Sequence, residues 1–304
     1  MTSTLLSLVF VYVFIFLGYL AKYIFKENID SKTLTLVSVY FTQPFVTLWG
    51  FTTAKLYSEH AFVPLVYLGI ILLLLVPTMY LAKLLFTDPK ERAIFSIAGF
   101  VGNTGNIGIP LGIALFGEAS VIYTTLINLA NVFVIYILGV YIYSRGSFSI
   151  KDSLRNIIKL PTIPVAVMAI LVNIYDVDIG KHMQEFFKMG AYAGIVLQLF
   201  LLGTFLQSIE IKNLHPKLFI GSMSQKFIIV PLATAIILSF TNLSLMVQGV
   251  IFMEMMVPLA IANINLASLY NCKPSDVTAL ILTSTVLFMP IIFVLNYIIE
   301  VFYS

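Results

Sequence analysis

Long apolar runs separated by short polar breaks dominate the chain. Ten runs predict helices near Leu5–Ala21, Leu34–Thr53, Phe62–Phe86, Ala93–Phe116, Val121–Tyr143, Ile157–Tyr175, Met189–Ile209, Leu218–Phe240, Met246–Tyr270 and Val277–Ile299. At about 1.5 Å per helical residue, such runs approach the roughly 30 Å of a bilayer's hydrocarbon core. The longest polar connection, from Arg145 to Arg155, divides five runs from five. The first run follows Met1-Thr2-Ser3 with no positive segment and no small-residue cleavage pattern, so it counts as a span rather than a removable leader.

Lys and Arg in the connections set the orientation. Lys22, Lys26, Lys32, Lys83, Lys90, Arg92, Arg145, Lys151, Arg155, Lys159, Lys212, Lys217 and Lys273, thirteen in all, fall on one side of the alternation; Lys55, Lys181 and Lys188 fall on the other. Cytoplasmic loops hold the excess of positive charge, so both termini are expected outside the cytoplasm of a plasma-membrane protein. Five is odd, and two related halves of five spans would be inserted in opposite senses, the inverted-repeat plan of many transporters. The expected fold is an all-α polytopic membrane protein of ten transmembrane helices. Its repeats cover residues 1–146 and 156–304, with a cytoplasmic connecting loop at 147–155.

Two runs carry interruptions. The fourth reads Gly102-Asn-Thr-Gly-Asn-Ile-Gly-Ile-Pro110, and the ninth contains Glu254, Pro258, Asn263 and Asn265. Proline removes a backbone donor and each mid-helix glycine costs about 1 kcal/mol, so both helices are expected to break. Broken backbone at membrane depth is tolerated where it is buried or lines a cavity, and its free amides then serve a ligand. A close-packing face of small residues is the alternative for the fourth run. Asn103, Thr104, Gly105, Asn106, Pro110, Pro258 and Asn263 are the candidate substrate-binding residues, with Gln43 and Gln198 as further candidates from matching spans of the two halves. Asn128 and Asn131 read as interhelical hydrogen bonders. Glu254 and Lys226 lie deep inside spans; with Asn265 they are candidates for ion coupling or gating, the alternative being a Lys226–Glu254 salt bridge that locks two helices.

Composition narrows the classes. Of 304 residues 60% are hydrophobic and only 10% charged, against roughly 25% charged in soluble domains, and the mean hydropathy is +1.01. The net charge of +3 is too small to point to nucleic acid. The single Cys272 forms no internal disulfide, and His60, His182 and His215 are scattered in connections, where they read as solvated rather than as a metal site. No cofactor is expected. An intramembrane enzyme would need a Ser–His dyad, paired aspartates or a zinc cluster inside the spans, and none is there. A channel would call for a symmetric pore. Trp49, at the outer end of the second run, reads as an interfacial anchor.

The stretch from Gly102 to Pro110 resembles the fourth-span motif of the auxin efflux carrier family, the PIN-like carriers and their prokaryotic relatives. Asn103-Thr104 and Gly108-Ile109-Pro110 carry the likeness. Val257-Pro258 through Tyr270-Asn271 is similar to the family's second crossover, and Lys226 with Pro231 to a pattern in its eighth span. The long loop between the halves of the plant carriers is absent, and Asn263 stands where they have a second proline. Both departures suit the short prokaryotic type, linked to malate, malonate and similar organic anions. The resemblance implies crossed broken helices 4 and 9, with Asn103 on a substrate carboxylate and Pro110 and Pro258 keeping the helices broken. It further implies elevator-like movement of a transport domain. The expected partners are a small organic anion and the lipid bilayer, and a homodimer is compatible with this plan. Coupling to H+ or Na+ stays open, and a sodium-coupled bile-acid-type symporter is the alternative within the same architecture.

Overall fold

The computed structural model describes residues 2–144, 149–207 and 215–303. Arg145, Lys212 and the expected boundaries at 146, 147 and Ile209 lie outside the described residues. Among those described there is no strand. The helices are α1 (Thr2–Phe25), α2 (Ser31–Val37), α3 (Gln43–Thr52), α4 (Phe62–Leu85), α5 (Pro89–Ala98), α6 (Ile109–Phe116), α7 (Val121–Phe133) and α8 (Val140–Tyr143). They continue as α9 (Ile150–Ile158), α10 (Thr162–Ile174), α11 (Gly180–Gln207), α12 (Pro216–Ser224), α13 (Val230–Leu238), α14 (Leu245–Met256), α15 (Ala262–Leu269) and α16 (Pro274–Phe302).

Among the described residues, seven helical stretches are long and apolar enough to cross a membrane: Val9–Asn28, Ser31–Thr52, Phe62–Leu85, Glu118–Tyr143, Gly180–Gln207, Pro216–Leu238 and Pro274–Phe302. They fall on the first, second, third, fifth, seventh, eighth and tenth apolar runs. The sixth run, Ile157–Tyr175, is α10 and the last turn of α9; α9 itself lies mostly in the stretch expected as a connecting loop at 147–155, and it is bent by 66° from α10. The fourth and ninth runs are each two shorter helices with non-helical backbone between them. α11 begins at Gly180, well before the expected Met189, because its first turns are helical but polar; Lys181 and Glu185 face each other there at 3.8 Å.

Proline shapes the long helices locally. Wide turns at Ser38–Thr42, Thr104–Gly108 and Gln225–Ile229 each precede a proline, Pro44, Pro110 and Pro231. A proline ring clashes with the carbonyl four residues back, here Tyr40, Asn106 and Phe227, and the turn widens around it. Helix starts are capped conventionally. The Asp30 carboxylate accepts from the Lys32 and Thr33 amides, and Asp88 accepts from the Lys90 amide at 2.8 Å with Pro89 following.

The chain forms two compact units, each assembled from both halves of the sequence. The first comprises Met1–Ala61, Gly105–Leu126 and Asn156–Ser208, and the second Phe62–Thr104, Ile127–Arg155 and Ile209–Ser304. In the first, α1 and α11 touch backbone to backbone: a Cβ on Gly18 would overlap the Phe200 carbonyl oxygen, and one on Gly203 the Ile15 carbonyl oxygen. Ser31 Oγ donates to Thr204 Oγ1 beside this seam at 2.9 Å. Asn173 ties α10 to the end of α3, donating to the Phe51 and Ala54 carbonyls and accepting from the Leu56 amide.

Two sequence readings are corrected within this unit. Trp49 is only 3% exposed, packed on Tyr192 with the Lys188 ammonium 5.9 Å from its ring, so it is a core residue where α3 meets α11 and not an interfacial anchor. His60 is likewise buried rather than solvated. It stacks between Tyr57 and Tyr123, and its Nδ1 accepts from the Tyr57 amide at 2.9 Å.

In the second unit α4 leaves Leu73, Val76, Tyr80 and Leu84 exposed along one side, an apolar face suited to lipid. At one end of the unit, Lys273 Nζ reaches Asp88 at 2.7 Å and Glu91 at 2.6 Å, joining the start of α5 to the turn before α16. The hydrogen bond from Lys273 and that from the Lys90 amide hold the Asp88 carboxyl below its ordinary pKa. Burial disfavours the Lys273 ammonium, but its bonds to Asp88 and Glu91 outweigh that and raise its pKa. The Asp88 contribution to stability is therefore complete above the ordinary carboxylate range and fades as pH falls through the lowered value. That of Lys273 is complete below the ordinary lysine range and fades as pH rises through the raised one. Thermal unfolding against pH should show Asp88→Asn flattening the acid limb below about pH 4, with little change in slope near neutrality.

Candidate functional site

The two interruptions meet within the second unit. After α5 the chain turns at Gly99–Phe100 and runs on without helix through Val101–Asn103; after α14 it leaves the helix through Val257–Ala260 before a turn at Ile261 opens α15. The Asn103 amide donates to the Pro258 carbonyl at 2.8 Å and the Ala260 amide to the Val101 carbonyl at 3.0 Å, forming a single antiparallel bridge at Gly102 and Leu259. Pro258 has no N–H to offer, so its carbonyl is the group left to pair. Gly102 permits the approach: a Cβ there would lie 2.9 Å from Val257 Cγ2, 3.4 Å from Lys226 Nζ and 3.5 Å from the Glu254 carbonyl.

Buried polar side chains hold this backbone in place. Asn131 Nδ2 donates to the Gly102 carbonyl at 2.8 Å and to Thr104 Oγ1 at 3.0 Å; Thr104 in turn donates to Asn128 Oδ1 at 2.9 Å. Tyr67 OH donates to Asn131 Oδ1 at 3.2 Å. From the start of α15, Asn263 Nδ2 donates to the Val101 and Ala260 carbonyls at 3.2 and 2.9 Å, and its Oδ1 accepts from Tyr143 OH. Ser284 Oγ accepts from the Leu259 amide at 3.1 Å. Exposed amides of an unwound helix would cost several kcal/mol in an apolar medium, and this network removes most of that cost.

Other polar atoms are buried without a partner. Asn103 Nδ2 has no acceptor, and neither Glu254 carboxylate oxygen nor either amide atom of Gln225 is hydrogen-bonded. Lys226, 1% exposed, donates to the Gly99 carbonyl at 3.2 Å. Glu254 is fully buried, with Lys226 and Tyr67 within electrostatic range. The arrangement can offer an anion one neutral donor, Asn103, in an assembly that also holds the Lys226 amine and the Glu254 carboxyl.

Of the residues singled out from sequence, Asn103, Thr104, Lys226, Glu254, Pro258 and Asn263 all belong to this second-unit assembly. Gly105, Asn106 and Pro110 belong to the first unit, where Asn106 is half-buried and Pro110 buried. Gln43 and Gln198 also lie in the first unit; Gln43 is half-buried, and Gln198 is buried with its Oε1 unpartnered. Asn265 is exposed, two residues and more than half a turn round α15 from Asn263, and is not part of the group. Asn128 and Asn131 are structural hydrogen bonders at the break itself. Sequence reading missed Tyr67, Tyr143 and Ser284, which look like ordinary members of apolar runs. It also missed Gln225, whose place beside Lys226 inside a span was a usable signal.

The family model for membrane transport proteins, Mem_trans, matches residues 3–296. The chain belongs to this family, that of the auxin efflux carriers. It is 26% identical over 274 residues to a protein of the archaeon Methanocaldococcus jannaschii described as the uncharacterized transporter MJ1031, covering 86% of this chain and 87% of that one. Family and relative are transporters, not enzymes. Together with the apolar helices this makes the chain a multi-pass membrane transport protein with a small-molecule substrate.

Proposed function

We propose that the chain is a secondary transporter moving small organic anions, mono- or dicarboxylates, by alternating access at the meeting of its two broken helices. The observation that carries this reading is Asn103. Its side-chain amide is a buried donor with no acceptor, at a backbone break held open by Gly102 and Pro258. A carboxylate oxygen would satisfy it, and a charge-assisted hydrogen bond is the stronger kind. Counting each of the two broken runs, and the sixth run Ile157–Tyr175, as one crossing gives ten spans, in two inverted repeats at 1–146 and 156–304 joined at 147–155. The excess of Lys and Arg in alternate connections supports a plasma-membrane protein with both termini outside the cytoplasm. Movement would be elevator-like, with helices 4 and 9 crossed at the substrate. Within the first-unit segment of the fourth run, Pro110 opens α6 directly after the wide turn at Thr104–Gly108.

In proteoliposomes, Asn103→Ala should weaken uptake of the transported carboxylate by about 10- to 100-fold in apparent affinity, the worth of one hydrogen bond to a charged group. Pro258→Ala should abolish uptake with insertion and expression intact. Retained uptake in both variants sinks the site. The same screen, run with and without sodium, tests the sodium-coupled alternative, which rests on the unpartnered Glu254 carboxylate. Sodium-independent uptake removes that alternative and leaves H+ or no coupling ion.

A further inference from the structure

The segment ahead of α10 takes no part in the site described above. α9 opens at Ser149, whose Oγ accepts from the Asp152 amide at 3.2 Å, and its residues sort cleanly around the axis. Ser153 and Ile157 are buried. Ile150, Leu154 and Ile158 are exposed, at steps of four residues that align them in one row. Lys151 and Arg155 are exposed one position further on, about 100° round the helix, and Lys159 follows the last turn. Asp152 and Asn156 occupy the remaining side, away from the apolar row. None of the three cations enters an ion pair among the described residues.

Three large aliphatic side chains beside a line of unpaired cations are costly in bulk water and well placed in an interface. α9 is turned 66° from α10, so it does not continue that apolar helix into the membrane. A short helix with this order of faces lies along a bilayer surface, its apolar row among the upper acyl chains and its basic stems reaching up to headgroups. Basic residues at that level gain from anionic lipid and little from zwitterionic lipid.

We propose that α9 is a membrane-surface helix that binds anionic phospholipid, with Ile150, Leu154 and Ile158 sunk into the leaflet and Lys151, Arg155 and Lys159 on the lipid phosphates. Charge complementarity selects this occupant over a partner protein.

The native chain has one tryptophan, Trp49, buried in its own unit. Leu154→Trp therefore adds a reporter whose signal is read by subtracting the parent's. In proteoliposomes of full-length protein, brominated phosphatidylglycerol should quench the added tryptophan at about tenfold lower mole fraction than brominated phosphatidylcholine. Adding K151Q, R155Q and K159Q should bring the two lipids to parity. Absence of quenching by either lipid, or equal quenching before neutralisation, overturns the proposal. An independent measure uses the native chain: phosphatidylglycerol retained per protein through a detergent wash should fall in the K151Q/R155Q/K159Q variant. Unchanged retention counts against the proposal, whatever the fate of the tryptophan variant.

Discussion

Lys226→Met should lower stability by about 3–5 kcal/mol, the cost of leaving a buried charge without its partner. The Lys226 ammonium is all but inaccessible and donates to the Gly99 carbonyl, while the Glu254 carboxylate nearby has no hydrogen bond of its own. Removing the Lys226 side chain takes away the basic group within electrostatic range of the buried Glu254 carboxyl and leaves the Gly99 carbonyl without its side-chain donor. A second substitution separates charge from packing. The double variant Lys226→Met with Glu254→Gln should regain most of the loss, because no net charge then remains to be desolvated. Thermal unfolding in detergent checks both. A parent-like melt for Lys226→Met alone would mean that Glu254 is held neutral, and that the two residues do not act as a charge pair.

Gly203→Ala should be of similar severity, for a different reason. The added Cβ would overlap the Ile15 carbonyl oxygen and lie 2.6 Å from the Tyr19 backbone nitrogen. Backbone atoms have no rotamer to escape into, so α1 and α11 must part, and the Ser31–Thr204 bond beside the seam is lost with them. A loss of about 3 kcal/mol or more is expected, at the upper end for overpacking, or roughly 10 °C in melting temperature. Gly18→Ala meets the Phe200 carbonyl oxygen and should behave alike. Gly69→Ala is the control: a Cβ there would meet nothing within 4 Å, so it should melt at or slightly above the parent. Equal melts for all three variants would show that α1 and α11 do not pack as described.

Much of this architecture was legible in the hydrophobic pattern. Seven uninterrupted apolar runs are seven continuous helical stretches, since such a run has few ways to satisfy its backbone except as helix. Gly102 and Pro258 announced non-helical backbone, because loss of a donor and low helix propensity act locally, whereas Pro110 sits in the first turn of α6 after a widened turn. What pairs across the chain was not legible. Asn131 and Gly102 are 29 residues apart, and nothing local in either says that they bond. The start of α11 was missed because polar helical turns leave no trace in an apolarity count. Trp49 and His60 were misplaced for one shared reason: position at the end of a run says that a residue lies near the interface level, not whether lipid, water or a neighbouring helix covers it. α9 was read as part of the connecting loop at 147–155, because its alternation of charged and aliphatic residues is too short to separate from a loop by pattern alone.

The single bridge between Gly102 and Leu259 consists of main-chain bonds only. Most amino-acid replacements leave such bonds intact, so the pairing of the two segments rests on other atoms than the Asn103 side chain proposed to meet substrate. On the function proposed above, exchange of Asn103 would therefore retune which anion is accepted without dismantling the backbone pairing beside it. A lineage built on this joint is free to diversify its cargo while its core geometry stays constant.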